Sequence, residues 1–130
     1  MPELTITLTA ASILGLMFVW LSVRVIMVRT RNQAIIGDAG NQELLYAIRA
    51  HGNFCEYAPI FLILLALLEA TGGNSSVLAP LAALFVVARL LHVPGMGAEA
   101  NLRLRQAGIV GSFTAIIVAS AYGLYLVFSG

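Results

Sequence analysis

Five polar side chains in an otherwise apolar chain have the types and spacing to recognise an anion. Arg49, Asn53 and Glu56 follow one another at intervals of four and three, and Arg89 and His92 are three apart. At about 100° per residue on an α-helix, Asn53 lies about 40° to one side of Arg49 and Glu56 about 20° to the other, so the three form one stripe. Arg89 and His92 likewise share a face, whereas His51 points to the opposite side of its helix. If the two stripes meet, a carboxylate, an amide, two guanidiniums and an imidazole surround one polar pocket. Positive charge is in excess there, and arginine forks bind carboxylates bidentately. One carboxylate among guanidiniums suits a ligand carrying both an amine and carboxylates. An internal network, with Glu56 paired to Arg89 and Asn53 bridging, explains the same spacing, and spacing does not choose between the two. Cys55, the single cysteine, reads as a small packed residue, and Tyr57 as an ordinary membrane aromatic. No metal motif, Gly-rich phosphate loop or nucleophile elbow is present.

The elements that carry these residues follow from composition. Of 130 residues, 60% are hydrophobic and 10% charged, with a mean hydropathy of +0.94. Soluble domains carry about 25% charged residues, and disordered chains are polar, so both classes are excluded. A net charge of +1 gives no nucleic-acid signal. At about 20 residues per bilayer crossing, the chain has room for four helices, and it holds four apolar runs, residues 6–28, 44–70, 77–92 and 107–128. The fold class is therefore all-α and integral to a membrane, a four-transmembrane-helix bundle in one domain spanning residues 1–130. The first run is a span rather than a cleavable signal, since no basic segment precedes it. Thr71-Gly72-Gly73-Asn74 stops the second helix, and Ser75 or Ser76 is a candidate cap for the third. Pro94-Gly95 ends the third, and residues 96–106, with Glu99, Arg103 and Arg105, form a connection. All seven basic residues are arginines, and all lie in or beside the first and third connections. The positive-inside rule puts those connections in the cytoplasm and both termini outside. A charge at the bilayer centre costs about 2.5–3.5 kcal/mol on insertion scales, so Arg49, Glu56, Arg89 and His92 are expected to face a polar interior. Gly108, Gly111, Ser112, Ala115, Ala119 and Gly123 on the fourth run allow close approach of a neighbouring backbone.

The segment Arg49-Ala50-His51-Gly52-Asn53-Phe54-Cys55-Glu56-Tyr57-Ala58-Pro59 resembles the second-helix signature R-A-H-x-N-x-x-E of the MAPEG family, the membrane-associated proteins in eicosanoid and glutathione metabolism. Arg89-Leu90-Leu91-His92 is similar to its third-helix R-x-x-H, and Arg105-Gln106-Ala107-Gly108 to the R-x-x-G that opens the fourth. Gly37-Asp38-Ala39-Gly40-Asn41-Gln42-Glu43-Leu44 resembles the first connection of small bacterial members. The likeness runs from about residue 24 to 112. It implies a homotrimer in the bacterial inner membrane that binds glutathione between subunits and takes lipophilic small molecules from the surrounding lipid. The implied activity is conjugation of glutathione to lipophilic electrophiles, or reduction of lipid hydroperoxides. By the same resemblance Asn53 and Glu56 hold the γ-glutamyl end, Arg49 orders the site, Arg89 and His92 line it, and Arg105 is the catalytic residue that stabilises the thiolate. Gly52 and Met96 depart from better-known members, which often carry a basic residue and a tyrosine there. The alternative is a non-catalytic membrane protein whose polar cluster is structural or holds a lipid headgroup or other anion. A proton-coupled exporter ranks last, because the first span lacks an embedded carboxylate.

Overall fold

The computed structural model describes residues 3–94 and 101–129. Four helices account for nearly all of them: α1 Thr5–Arg31, α2 Gln42–Ala70, α3 Ser75–His92 and α4 Leu102–Ser129. Each is long and apolar enough to cross a membrane. At 1.5 Å per residue, α3 with its 18 residues covers about 27 Å, close to one hydrocarbon core, and the other three cover about 40 Å or more. The surplus length extends the polar ends past the expected runs. The largest difference is in α4, which begins at Leu102 rather than near Ala107. Asn101 is the reason, for its Oδ1 accepts from the backbone N–H groups of Arg103 and Leu104 at 3.1 and 3.4 Å. Arg103 and Arg105 therefore stand on a helix and not in a connection. The rest of that connection, with Met96 and Glu99, lies outside the described residues, as does Gly95 of the expected Pro94-Gly95 stop.

α2 and α3 form the middle of the bundle. α1 packs mainly on α2 and α4 mainly on α3, and among the described residues no Cα atoms of α1 and α4 come within 8 Å of each other. Phe61 of α2 and Phe85 of α3 are fully buried and stack with centroids 4.1 Å apart and planes 8° apart. Leu14 and Leu21 close on this centre from α1, and Ala115 and Ala119 from α4. All seven arginines lie in the half of the bundle where α1 and α3 end and α2 and α4 begin.

The opposite end is held by polar contacts between elements. α1 has no capping side chain of its own, because Leu4 precedes it. Glu69, near the end of α2, supplies the cap instead: its two carboxylate oxygens accept from the backbone N–H groups of Ile6 and Thr7, each at 2.8 Å. These donors are among the four that a helix N-terminus leaves unsatisfied, and a carboxylate there also matches the helix dipole. At the α2–α3 turn Gly72 takes a φ of +82°, where a side chain would be strained. The cap of α3 is Asn74, whose side chain accepts from Ser76, rather than Ser75 or Ser76. The backbone N–H of Asn74 donates to the Tyr122 hydroxyl at 3.0 Å, which pins the far end of α4. The first connection is similarly tied, with Arg29 donating to the Gly37 carbonyl and Asn41 to Asn32.

Replacing Glu69 by Ala frees two helix-end donors within an apolar setting. The expected loss is about 1–2 kcal/mol, in the range of a removed N-cap, with Glu69→Gln falling between Ala and the parent. Thermal unfolding in detergent measures it, and an unchanged midpoint for Glu69→Ala contradicts the assignment.

Candidate functional site

The polar residues of α2 and α3 separate into a buried pair and an open face. Arg89 is only 2% exposed and His92 3%. Arg89 Nη1 donates to Asn53 Oδ1 at 2.7 Å, and Nη2 to the Gly108 carbonyl at 3.3 Å. One guanidinium thus joins α3 to both α2 and α4. Its central carbon also lies over aromatic rings, 5.4 Å from the Tyr57 centroid and 5.7 Å from that of Phe85. Tyr57 is therefore part of the arginine's setting, beyond the ordinary membrane aromatic that its sequence context suggested. His92 Nδ1 lies 3.4 Å from the Arg105 carbonyl. Arg89 Nε and His92 Nε2 are buried without a partner among the described residues.

Gly108 makes this junction possible. A Cβ there would fall 2.7 Å from the Ala88 carbonyl oxygen and 2.7 Å from His92 Cβ, so α3 and α4 touch backbone to backbone. Ser112, one turn on and fully buried, donates to the same Gly108 carbonyl at 2.7 Å. The small residues of α4 serve α3 of their own chain at this level.

Arg49 and Glu56 are exposed on α2, and neither has a hydrogen-bonding or ion-pair partner among the described residues. The internal pairing of Glu56 with Arg89 does not form; Asn53 takes the guanidinium instead. Arg105 is exposed on the first turns of α4, with only its backbone carbonyl turned to His92. Of the six residues singled out, Asn53, Arg89 and His92 come together within one chain. Arg49, Glu56 and Arg105 stand on its outer surface. The expected polar pocket is not enclosed by a single chain, because a side chain on the outward face of α2 has no fifth helix opposite it. The grooves along α1 are lined mainly by apolar side chains, among them one of about 410 Å³ between α1 and α3 and one of about 290 Å³ between α1 and α2. Among the described residues no cluster of His, Cys, Asp and Glu could hold a metal.

Two features escape a reading by helical face alone. Glu69 sits after an uncharged stretch with nothing nearby in sequence to pair with, and an acidic residue at a helix end opposite another helix's start was the available signal. Cys55 has an imidazole beside it: His51, four residues earlier, lies 3.8 Å from Sγ. That i, i+4 relation was visible in the sequence.

The buried tie has a direct consequence for stability. Asn53→Leu leaves a guanidinium without its shortest partner and should cost roughly 2–3 kcal/mol, as for hydrogen bonds to charged groups. The double variant Asn53→Leu/Arg89→Met should recover most of that loss, because it also removes the buried guanidinium that the single variant leaves unpaired. Unfolding in detergent across the four-protein cycle measures the coupling, and additive losses contradict it.

Comparison with known proteins bears on the same segments. The inner membrane protein YecN of Escherichia coli, strain K12, is 29% identical over 104 residues, covering 80% of this chain and 79% of YecN. YecN of Escherichia coli O6:H1, strain CFT073, gives the same figures. No solved structure gives a significant match. The family model described as the MAPEG family matches residues 7–125, from the first turn of α1 to the last turns of α4. The chain, a four-helix membrane protein, belongs to the MAPEG family.

Proposed function

We propose that the protein is a membrane-bound thiol transferase or peroxidase that works as a homotrimer, with glutathione held where the outer face of α2 meets a second copy. The observation that carries this reading is the exposure of Arg49 and Glu56 on a spanning helix, beside the half-buried Asn53 that meets the buried Arg89. Charges facing hydrocarbon cost about 2.5–3.5 kcal/mol each near the bilayer centre. A second copy and a zwitterionic ligand remove that cost together.

The donor set fits glutathione. Asn53 spends its carbonyl oxygen on Arg89, which leaves its amide N–H groups for a carboxylate. Glu56 accepts from an ammonium group, and Arg49 supplies a fork for a carboxylate. Arg105 stands near the thiol and favours the thiolate, since a guanidinium lowers a thiol's pKa. The thiolate is the nucleophile toward a lipophilic electrophile arriving along an apolar groove. Arg89 and His92 position the wall behind the site. The inner membrane is the proposed location, supported by the name of YecN. The arginine-rich end faces the cytoplasm and both termini face outward, by the positive-inside rule.

A second reading has its own observation. Arg89 is already bonded to Asn53 and Gly108 within one chain, as expected of a structural tie in a non-catalytic protein. A glutathione titration separates the two. By linkage, a ligand of the folded state at 100 times its Kd adds about 2.7 kcal/mol, so the unfolding midpoint should rise with millimolar glutathione. Glu56→Gln and Arg49→Ala should each abolish most of the rise while leaving the unliganded midpoint little changed. A flat titration of the parent favours the structural reading.

A further inference from the structure

Three grooves follow one another along a single stripe of α1. Ile13, Trp20, Arg24, Met27 and Arg31 lie within about 40° of one line at about 100° per residue. At the arginine-rich end the stripe opens on a groove of about 260 Å³ lined by Trp20, Arg24, Met27, Arg31 and Glu43. Trp20 also lines the next groove, of about 400 Å³, which Leu16, Met17, Leu90 and Val93 make apolar. Ile13 is shared in turn with the groove of about 410 Å³ between α1 and α3. One end of this track is therefore cationic, an indole stands at its neck, and the remainder is hydrocarbon-like.

The cationic end has one charge unanswered. Arg31 donates to Glu43 at 2.9 Å, and both side chains stay more than half exposed. Arg24 is half-buried and has no hydrogen-bonding or ion-pair partner among the described residues. Two guanidiniums against one carboxylate leave a single positive charge in this groove. Guanidinium forks suit phosphate oxygens, and the long arginine stem lets its head reach the headgroup layer. Trp20 lies one turn deeper, and indoles favour the membrane interface. From Arg24 to Ile13 is about 17 Å of helix, close to half of a roughly 30 Å hydrocarbon core. Charged head, indole and apolar length thus occur in the order and over the distance of one phospholipid in one leaflet.

We propose that this stripe of α1 holds one anionic phospholipid per chain, with its phosphodiester on Arg24 and Arg31 and an acyl chain laid past Trp20 along Leu16 and Ile13. The charge balance selects the headgroup. Glu43 already has Arg31 as its partner, so the groove lacks a free carboxylate for the ammonium of a zwitterionic lipid. A headgroup with one net negative charge neutralises the site. The apolar groove fixes the source of the phosphate: a soluble phosphate ester fills only the cationic end, and a lipid fills both. None of the residues assigned to glutathione takes part, so the inference stands apart from the function proposed above.

Full-length protein stripped of lipid in detergent is titrated with dioleoylphosphatidylglycerol or dioleoylphosphatidylcholine, and native mass spectrometry counts the lipids retained per chain. The two lipids share their acyl chains and phosphate and differ in net charge. Phosphatidylglycerol should fill one site per chain at concentrations where phosphatidylcholine does not. Arg24→Gln should weaken its binding about fivefold, the worth of one basic residue near an anionic lipid surface. Arg103→Gln, which removes an exposed charge from the same end of the bundle, should leave binding unchanged. Phosphatidylglycerol with a diazirine in its acyl chain should label the α1 and α3 segments around Leu16 and Leu90. Equal filling by the two lipids, unchanged affinity in folded Arg24→Gln, a matching loss in Arg103→Gln, or labelling confined to other segments overturns the proposal. Binding of sn-glycerol 1-phosphate as tight as that of the lipid also overturns it, by making the site one for a soluble phosphate.

Discussion

A buried guanidinium needs partners, and the Arg89 junction shows how three helices are committed to supplying them. In a low-dielectric interior an unpaired cation is costly, so the position of Arg89 dictates what its neighbours can be. Asn53 of α2 offers an amide oxygen at 2.7 Å, and Gly108 of α4 a backbone carbonyl at 3.3 Å. The second contact exists because position 108 has no side chain to hold α4 away from Ala88 and His92. Tyr57 and Phe85 lie against the cation, and Phe85 also stacks on Phe61 at the centre of the core. The polar tie and the apolar core are thus one continuous packing unit.

The same junction divides the polar residues by role. Asn53 is half-buried, with its amide oxygen on Arg89. Its stripe-mates Arg49 and Glu56, on the same side of α2, are left at the rim of the chain. An anion site that uses all three must lie at the edge of the subunit, with the Asn53 amide at its inner wall. This gives the proposed assembly a physical motive: the outer face of α2 is too polar to meet hydrocarbon and too open to bind a ligand unaided.

Much of this was legible in the sequence, and the limits were physical. The four helices follow from long uncharged stretches between arginine-bearing segments, and the pairing of α2 with α3 follows from polar residues at matching depth. Helical spacing placed Arg49, Asn53 and Glu56 on one stripe, but a stripe spans tens of degrees. Whether its members face the core or the surface depends on how α2 packs against α3 and α4, which its own sequence does not specify; the close approach at Gly108 sets the α3–α4 spacing. The pairing of Asn53 rather than Glu56 with Arg89 is of that kind. The end of α2 taught the reverse lesson: Glu69 had no local partner in sequence, yet the first turn of α1 had no cap, and the two deficits answer each other in space. The early start of α4 was readable from Asn101, an N-cap residue ahead of a helix-compatible segment. By charge alone, Arg103 and Arg105 in that segment read as part of a connection.

The central claim is that the exposed polar face of α2 is completed by another copy of the chain around an anionic thiol. Native mass spectrometry of the protein released from detergent in the presence of glutathione tests it most directly. The account predicts a three-chain species carrying glutathione, with Glu56→Gln giving the same assembly without the bound tripeptide. A stable single chain, or a three-chain species that takes up glutathione equally with and without Glu56, would contradict it.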